Sequence, residues 1–425
     1  MAKETVRQPG VLPHASIRWT TLATYWTRWR GVGSVVGIFV CSKLAFYAAA
    51  WFGVAFLPLA PAWHGQVEVS QHAALALHWR WDAVHYYSIA LGGYQPVSNS
   101  VPTADPQVLA AFFPLFPLLS RGVALVLAHG SQHALAPSLA LSGVLVTEAA
   151  TLLALIMLFL LAREETNEEA VAQRAVLYTA IFPLAFYYAV PYAEALFLAA
   201  SIGVFWAARN GRWLQAGVWT AVACATRPFG VLLLPVLLLE ILLAWRREGQ
   251  LLRWKQAVLG LLIAPSGLVL FMLHLWQQRG EPLAFISAQQ AMWDRSTVFP
   301  LTTLWRGLQL VLHPSLSANA DTYARSLLHS AIVFGFLAIM LVSVRRWRAS
   351  YVLYAVLVFA QVLSVPWPPD TIMHTLGRAV MVLFPVYITL AQWGRRPIVH
   401  HAVMLVWLPL FGLLTALYVR WYFVA

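Results

Sequence analysis

Long apolar runs, separated by short polar passages, recur along the chain from residue 33 onward. A transmembrane helix needs roughly 20 apolar residues to cross a hydrocarbon layer of about 30 Å. Its backbone polar groups must be satisfied within the helix, because that layer offers no water. Gly33–Leu57, Val108–Leu127, Pro137–Ala162, Ala175–Tyr188 and Tyr192–Ala208 have this character. Trp213–Trp245 is longer than one pass needs and is interrupted by Arg227-Pro228, which predicts two short passes with TRPFG at their outer tip. Val258–Trp276, Leu327–Val344, Tyr351–Val365, Ala379–Trp393 and Val399–Tyr422 complete the set. The pattern predicts an all-α polytopic membrane protein with about 11–13 transmembrane helices, one pass between residues 108 and 162 being open to a re-entrant reading.

Two longer polar stretches break the rhythm, 60–106 and 277–324. Within the first, Ala73–Leu91 mixes aromatics and His into a helical pattern that suits a helix lying along the membrane surface. Residues 1–32 read as a cytoplasmic N-terminal segment ahead of an uncleaved first helix, and 33–425 as a single multispan domain. Composition agrees: hydrophobic residues make up 60% of the 425, charged ones 10%. The net charge of +12 does not point to nucleic acid, because the arginines sit in short clusters between apolar runs. That is the positive-inside distribution, which also favours anionic membrane lipids and places both polar stretches outside. Cys41 and Cys224 lie in apolar runs and imply neither a disulfide framework nor a zinc site.

With only 16 acidic residues, candidate chemistry can be screened by position. Asp82 stands out by its company. On a helix, His78, Asp82 and His85 would fall on one face, with Tyr86 one turn on. A carboxylate there can take a proton from a hydroxyl, or the trio can hold a metal, while an N-cap Asp among interfacial aromatics is the structural alternative. Arg227, at the hairpin tip, suits bidentate phosphate binding, with a snorkelling arginine as its alternative; Arg378 carries the same two readings. Glu194, after Pro191 and Tyr192, is placed to pair with one of these arginines.

Six segments together resemble the PIG-V-like mannosyltransferase family, which includes the second mannosyltransferase of GPI-anchor synthesis. They are RWDAVHYYSIALGGY from Arg80, FFPLFPLL from Phe112, FPLAFYYAVPYAEALF from Phe182, ATRPFGVLLLP from Ala225, AQQAMWDR from Ala288 and GRAVMVLFPVYITLA from Gly377. The resemblance implies a GT-C bundle whose first external loop carries the catalytic acid. It further implies inverting transfer of mannose from a polyprenyl-phosphate donor to a glycolipid, glycan or protein acceptor. On that reading Asp82 is the general base, Arg227 and Arg378 hold the donor phosphate, and Trp81, Tyr94 and Trp293 line the sugar site. His78, His85, Tyr86, Tyr192, Glu194 and Arg295 join them as candidate sugar or acceptor contacts. No cofactor is expected and the reaction is expected to be metal-independent, with a divalent ion at His78, Asp82 and His85 left open, as is a partner subunit. A prokaryotic member would sit in the plasma membrane with its active site outside. Transfer of another lipid-phosphate-linked sugar, or flipping of such a lipid, are the competing readings. A flippase would spread charge along a transbilayer path, whereas here polar residues crowd the two outer stretches.

Overall fold

The computed structural model describes residues 31–60, 69, 72–95, 106–248, 253–313, 319–367 and 371–424. The expected N-terminal cytoplasmic segment lies outside these residues apart from 31–32, as do 61–68, 70–71 and 96–105 of the first polar stretch and 314–318 of the second. The described residues are almost entirely helical, with no strand among them. Among the described residues, six helices are long and apolar enough to cross a membrane: Val32–Phe56, His133–Thr166, Pro228–Arg247, Trp254–Arg279, Ala320–Ser343 and Pro397–Val419. Leu115–Leu127 and Ala349–Ser364 are apolar but shorter.

Several predicted passes are broken, each for a local reason. Arg227, which precedes a proline, is extended (φ −154°, ψ 155°), so Trp213–Thr226 ends there and a 3₁₀ turn, Pro228–Leu232, begins. The chain folds back so tightly that Gly230 rests on the backbone of Ala223 and Cys224, where a Cβ would collide. The pass read over 379–393 splits into Leu376–Val380 and Phe384–Trp393, with Pro385 opening the second piece.

Glu194–Arg209 is the central helix. It is apolar on all sides and buried from Glu194 through Phe205, as expected of a helix enclosed by others. The helices around it expose apolar side chains such as Leu44, Phe52, Leu262, Leu270 and Leu405, the faces that lipid would cover. Small residues let neighbouring helices touch. Gly53 meets the Ala416 backbone, Gly217 that of Gly260, and Gly267 that of Ala221. Gly217→Val is therefore expected to force apart Trp213–Thr226 and Trp254–Ile263 and to cost roughly 1–3 kcal/mol. A lowered thermal midpoint in detergent is the result to look for.

Candidate active site

The stretch read as one surface helix is helical in two pieces, Ala73–Ala76 and Asp82–Gly92. Leu77 to Arg80 between them are all buried. The break has a visible cause. Trp79 is inserted against Gly143 and donates its indole N–H to the Ala140 carbonyl at 3.1 Å. Arg80 lies over the Trp421 ring at 4.7 Å and donates to Val419 O at 3.1 Å. Trp81 then adopts φ 54°, a backbone region that costs a non-glycine residue free energy and persists only where its surroundings impose it. Its ring is held by Phe423 (5.0 Å) and Trp421 (6.0 Å). Asp82 follows as the first residue of its helix, where a carboxylate is favoured by the unsatisfied N–H groups. The Asp82 N–H donates to Tyr192 Oη (3.1 Å), and that hydroxyl donates to Arg80 O (3.0 Å).

His78 therefore does not share a helical face with Asp82 and His85. It sits in the turn, fully buried between the Phe46 and Tyr47 rings at 5.2 and 5.5 Å, and burial pushes its pKa down to about 4. His85 packs on Phe112 at 4.7 Å, and burial lowers its pKa too, against the pull of Asp82. Among the described residues no three His, Cys, Asp or Glu side chains come together as a ligand set.

Asp82 instead belongs to a chain of charges. Arg378 Nη1 reaches Asp82 Oδ2 at 2.7 Å, and Arg378 Nε reaches Glu194 Oε1 at 2.5 Å. Arg227 Nη1 reaches the same Glu194 oxygen at 3.0 Å. The Arg378 guanidinium also lies against the Tyr187 and Tyr192 rings at 4.6 and 4.7 Å, contacts that add stabilisation to a desolvated cation. Four places distant in sequence thus deliver the set: the start of Asp82–Gly92, the start of Glu194–Arg209, and the two chain breaks at Arg227 and Leu376–Val380. The Glu194 side chain is 1% exposed and that of Asp82 is 28% exposed. Glu194 is sealed in as a counter-ion to both arginines, and Asp82 is the carboxylate that incoming molecules can meet.

They meet it in a cavity of about 490 Å³, within the usual range for ligand sites. Asp82, Tyr86, Arg227, Trp293, Arg295 and Arg378 line it, which brings together six of the twelve residues singled out from sequence. His78, Trp81, His85, Tyr94, Tyr192 and Glu194 are not part of the lining. Tyr94 donates to Phe112 O at 2.7 Å and packs on Phe271, anchoring the end of its loop. Arg295 adds a third cation. Burial pulls its pKa down to about 10, with Asp82 opposing that pull and Arg378 and Arg227 adding to it, so it stays protonated at neutral pH. The lining also includes Gln289, Gln361, Trp367 and Phe423, which the sequence reading passed over. Gln289 lies within AQQAMWDR and Gln361 is a polar residue in an apolar run, the two signals available.

Comparison with known proteins bears on the fold and the family. The fold is similar to that of the apo oligosaccharyltransferase of Archaeoglobus fulgidus (13% identity, TM-score 0.48), over 91% of this chain and 56% of that one. It is also similar to ArnT from Cupriavidus metallidurans bound to undecaprenyl phosphate (15% identity, TM-score 0.48), over 88% of this chain and 64% of that one. The chain thus spans less than two thirds of either structure. A search of curated proteins found no match. Residues 50–299 match the profile of the family described as mannosyltransferase (PIG-V), a range that holds Asp82, Glu194, Arg227 and Arg295. That match covers more than half of the 425 residues, and the chain belongs to the PIG-V mannosyltransferase family.

Proposed function

We propose that the protein is an inverting glycosyltransferase that moves mannose from a polyprenyl-phosphate-mannose donor to a hydroxyl of a glycolipid, glycan or protein acceptor. One observation carries this reading: a partly exposed carboxylate and two partly buried arginines converge on one cavity. The acceptor O–H gives its proton to Asp82 as its oxygen attacks the anomeric carbon. The carbon–oxygen bond to phosphate breaks on the opposite side, and its electron pair leaves with the phosphate. A single displacement inverts the anomeric centre and needs one base, unlike the paired carboxylates of a retaining enzyme. Arg227 and Arg378 face the charge that develops on the leaving phosphate, a contribution worth about 10²–10³ in rate for each donor removed in comparable sites.

The cavity also suits a lipid-borne donor. Beyond the charges its walls become apolar through Val231, Leu268 and Ile286, and Val231 and Ile286 are exposed on the bundle surface. A prenyl tail would leave by that side into the bilayer while its phosphate stays with the arginines. On the positive-inside reading the cavity faces the outer side of the membrane, the plasma membrane in a prokaryote.

The test is a transfer assay. Purified protein in nanodiscs is given polyprenyl-phosphate-mannose, labelled in the sugar, with a membrane glycolipid extract. Label should move to an acceptor, and chelation of divalent cations with EDTA should leave the rate unchanged, because guanidinium groups supply the positive charge. Label that stays on the donor, or a rate abolished by EDTA and restored by a divalent cation, would count against this reading.

A further inference from the structure

A second part of the cavity wall comes from elements other than those that carry Asp82 and the two paired arginines. Gln289 lies on the helix Ala284–Trp293, and Arg295 follows the αL residue Asp294 (φ 46°) that ends it. Trp367 lies just beyond Ala349–Ser364. The two elements are joined by the Val298 N–H, which donates to Ser364 O at 2.8 Å. Trp367 is 5.7 Å from the Phe423 ring, which in turn packs on Trp81 next to the acid. The wall is therefore tied to the segment that carries Asp82.

Three polar atoms of this wall have neither a hydrogen bond nor an ion pair among the described residues. Gln289 Oε1, Arg295 Nε and Trp367 Nε1 are all buried and all without a hydrogen-bond partner among the described residues. Buried polar groups of native proteins are almost always paired, because an unpaired one loses its hydration with nothing in return. Three on one cavity wall are an unmet demand for a polar ligand. Their chemistry narrows what that ligand is. An amide oxygen accepts, an indole N–H donates, and two of the three side chains are neutral. A phosphate would be answered by the paired arginines, whereas a mixture of neutral donor and acceptor suits hydroxyl groups. Trp293 and Phe423 supply flat apolar faces beside them, the complement of a sugar ring's C–H face.

We propose that Gln289, Trp367 and Arg295 form a hydroxyl-reading wall that binds the transferred pyranose of the donor and sets which sugar is accepted. This rests on the lipid-linked sugar reading above. The base and phosphate groups on one wall drive the reaction, and the unpaired polar atoms on the other discriminate.

The experiment compares the affinity of the protein in nanodiscs for polyprenyl phosphate and for polyprenyl-phosphate-mannose. The ratio isolates what the sugar adds. In Gln289→Ala with Trp367→Phe, which keeps an aromatic ring, the sugar's contribution should fall about tenfold or more while polyprenyl phosphate binds as before. Arg227→Gln should weaken both ligands alike. A sugar contribution unchanged in the double variant, or a wild type that binds the two lipids equally, overturns the proposal. A contribution that is lost as predicted, in a protein that transfers no sugar, would leave the wall standing and remove the transferase reading. A wild type that binds neither lipid would remove both.

Discussion

Asp82→Asn is expected to lower the turnover of mannose transfer by about 10³-fold, within the range of a lost general base. The substitution keeps the side chain's size and its place at the head of the helix, so the fold should survive. Arg378 keeps Glu194 at 2.5 Å and its two tyrosine rings. Donor affinity should hold or rise, because a carboxylate near an incoming phosphate repels it and an amide does not. Turnover and KM for the donor should therefore separate. A variant with near-normal turnover would place the base elsewhere, and one that loses donor binding in proportion would make Asp82 a structural partner of Arg378.

The second large effect concerns stability. Glu194→Gln should destabilise the protein by about 3–5 kcal/mol, the cost of leaving buried charge without its partner. Glu194 Oε1 forms ion pairs with both Arg227 and Arg378, and its side chain is almost wholly excluded from solvent. Without that charge the two arginines stand close together with only Asp82 to offset them. Adding Arg227→Gln to Glu194→Gln should recover part of the loss, since a neutral pair no longer strands a cation. Thermal unfolding of the three variants in the same detergent gives the comparison. Equal midpoints for wild type and Glu194→Gln would mean that the Glu194 charge adds no net stability.

The apolar rhythm was enough to read an all-helical, multispan chain, because bilayer thickness and backbone satisfaction leave few other options. It could not place the breaks within the runs. Arg227-Pro228 was legible because proline removes a donor and forbids the helical conformation before it. The turn at 77–81 was not, because its cause is the burial of Trp79 and Arg80 against residues 61 and 339 positions away. For the same reason the periodicity that grouped His78 with Asp82 and His85 failed. Local spacing predicts a shared face only if the helix continues. Asp82, Arg227 and Arg378 were each legible as charged residues where charge is expensive, and Glu194 as a partner for one arginine. That it binds both arginines at one oxygen follows only from three-dimensional convergence. Gln289 and Trp367 were least legible, since what marks them is a missing hydrogen bond.

The most direct measurement is the structure of Asp82→Asn, slowed enough to hold its substrate, with polyprenyl-phosphate-mannose bound in nanodiscs. The phosphate should lie against Arg227 and Arg378, with the anomeric carbon between it and residue 82 and the prenyl tail passing Val231 and Ile286. Donor density on another face of the bundle, or a sugar whose anomeric carbon is out of reach of residue 82, would contradict the proposed active site.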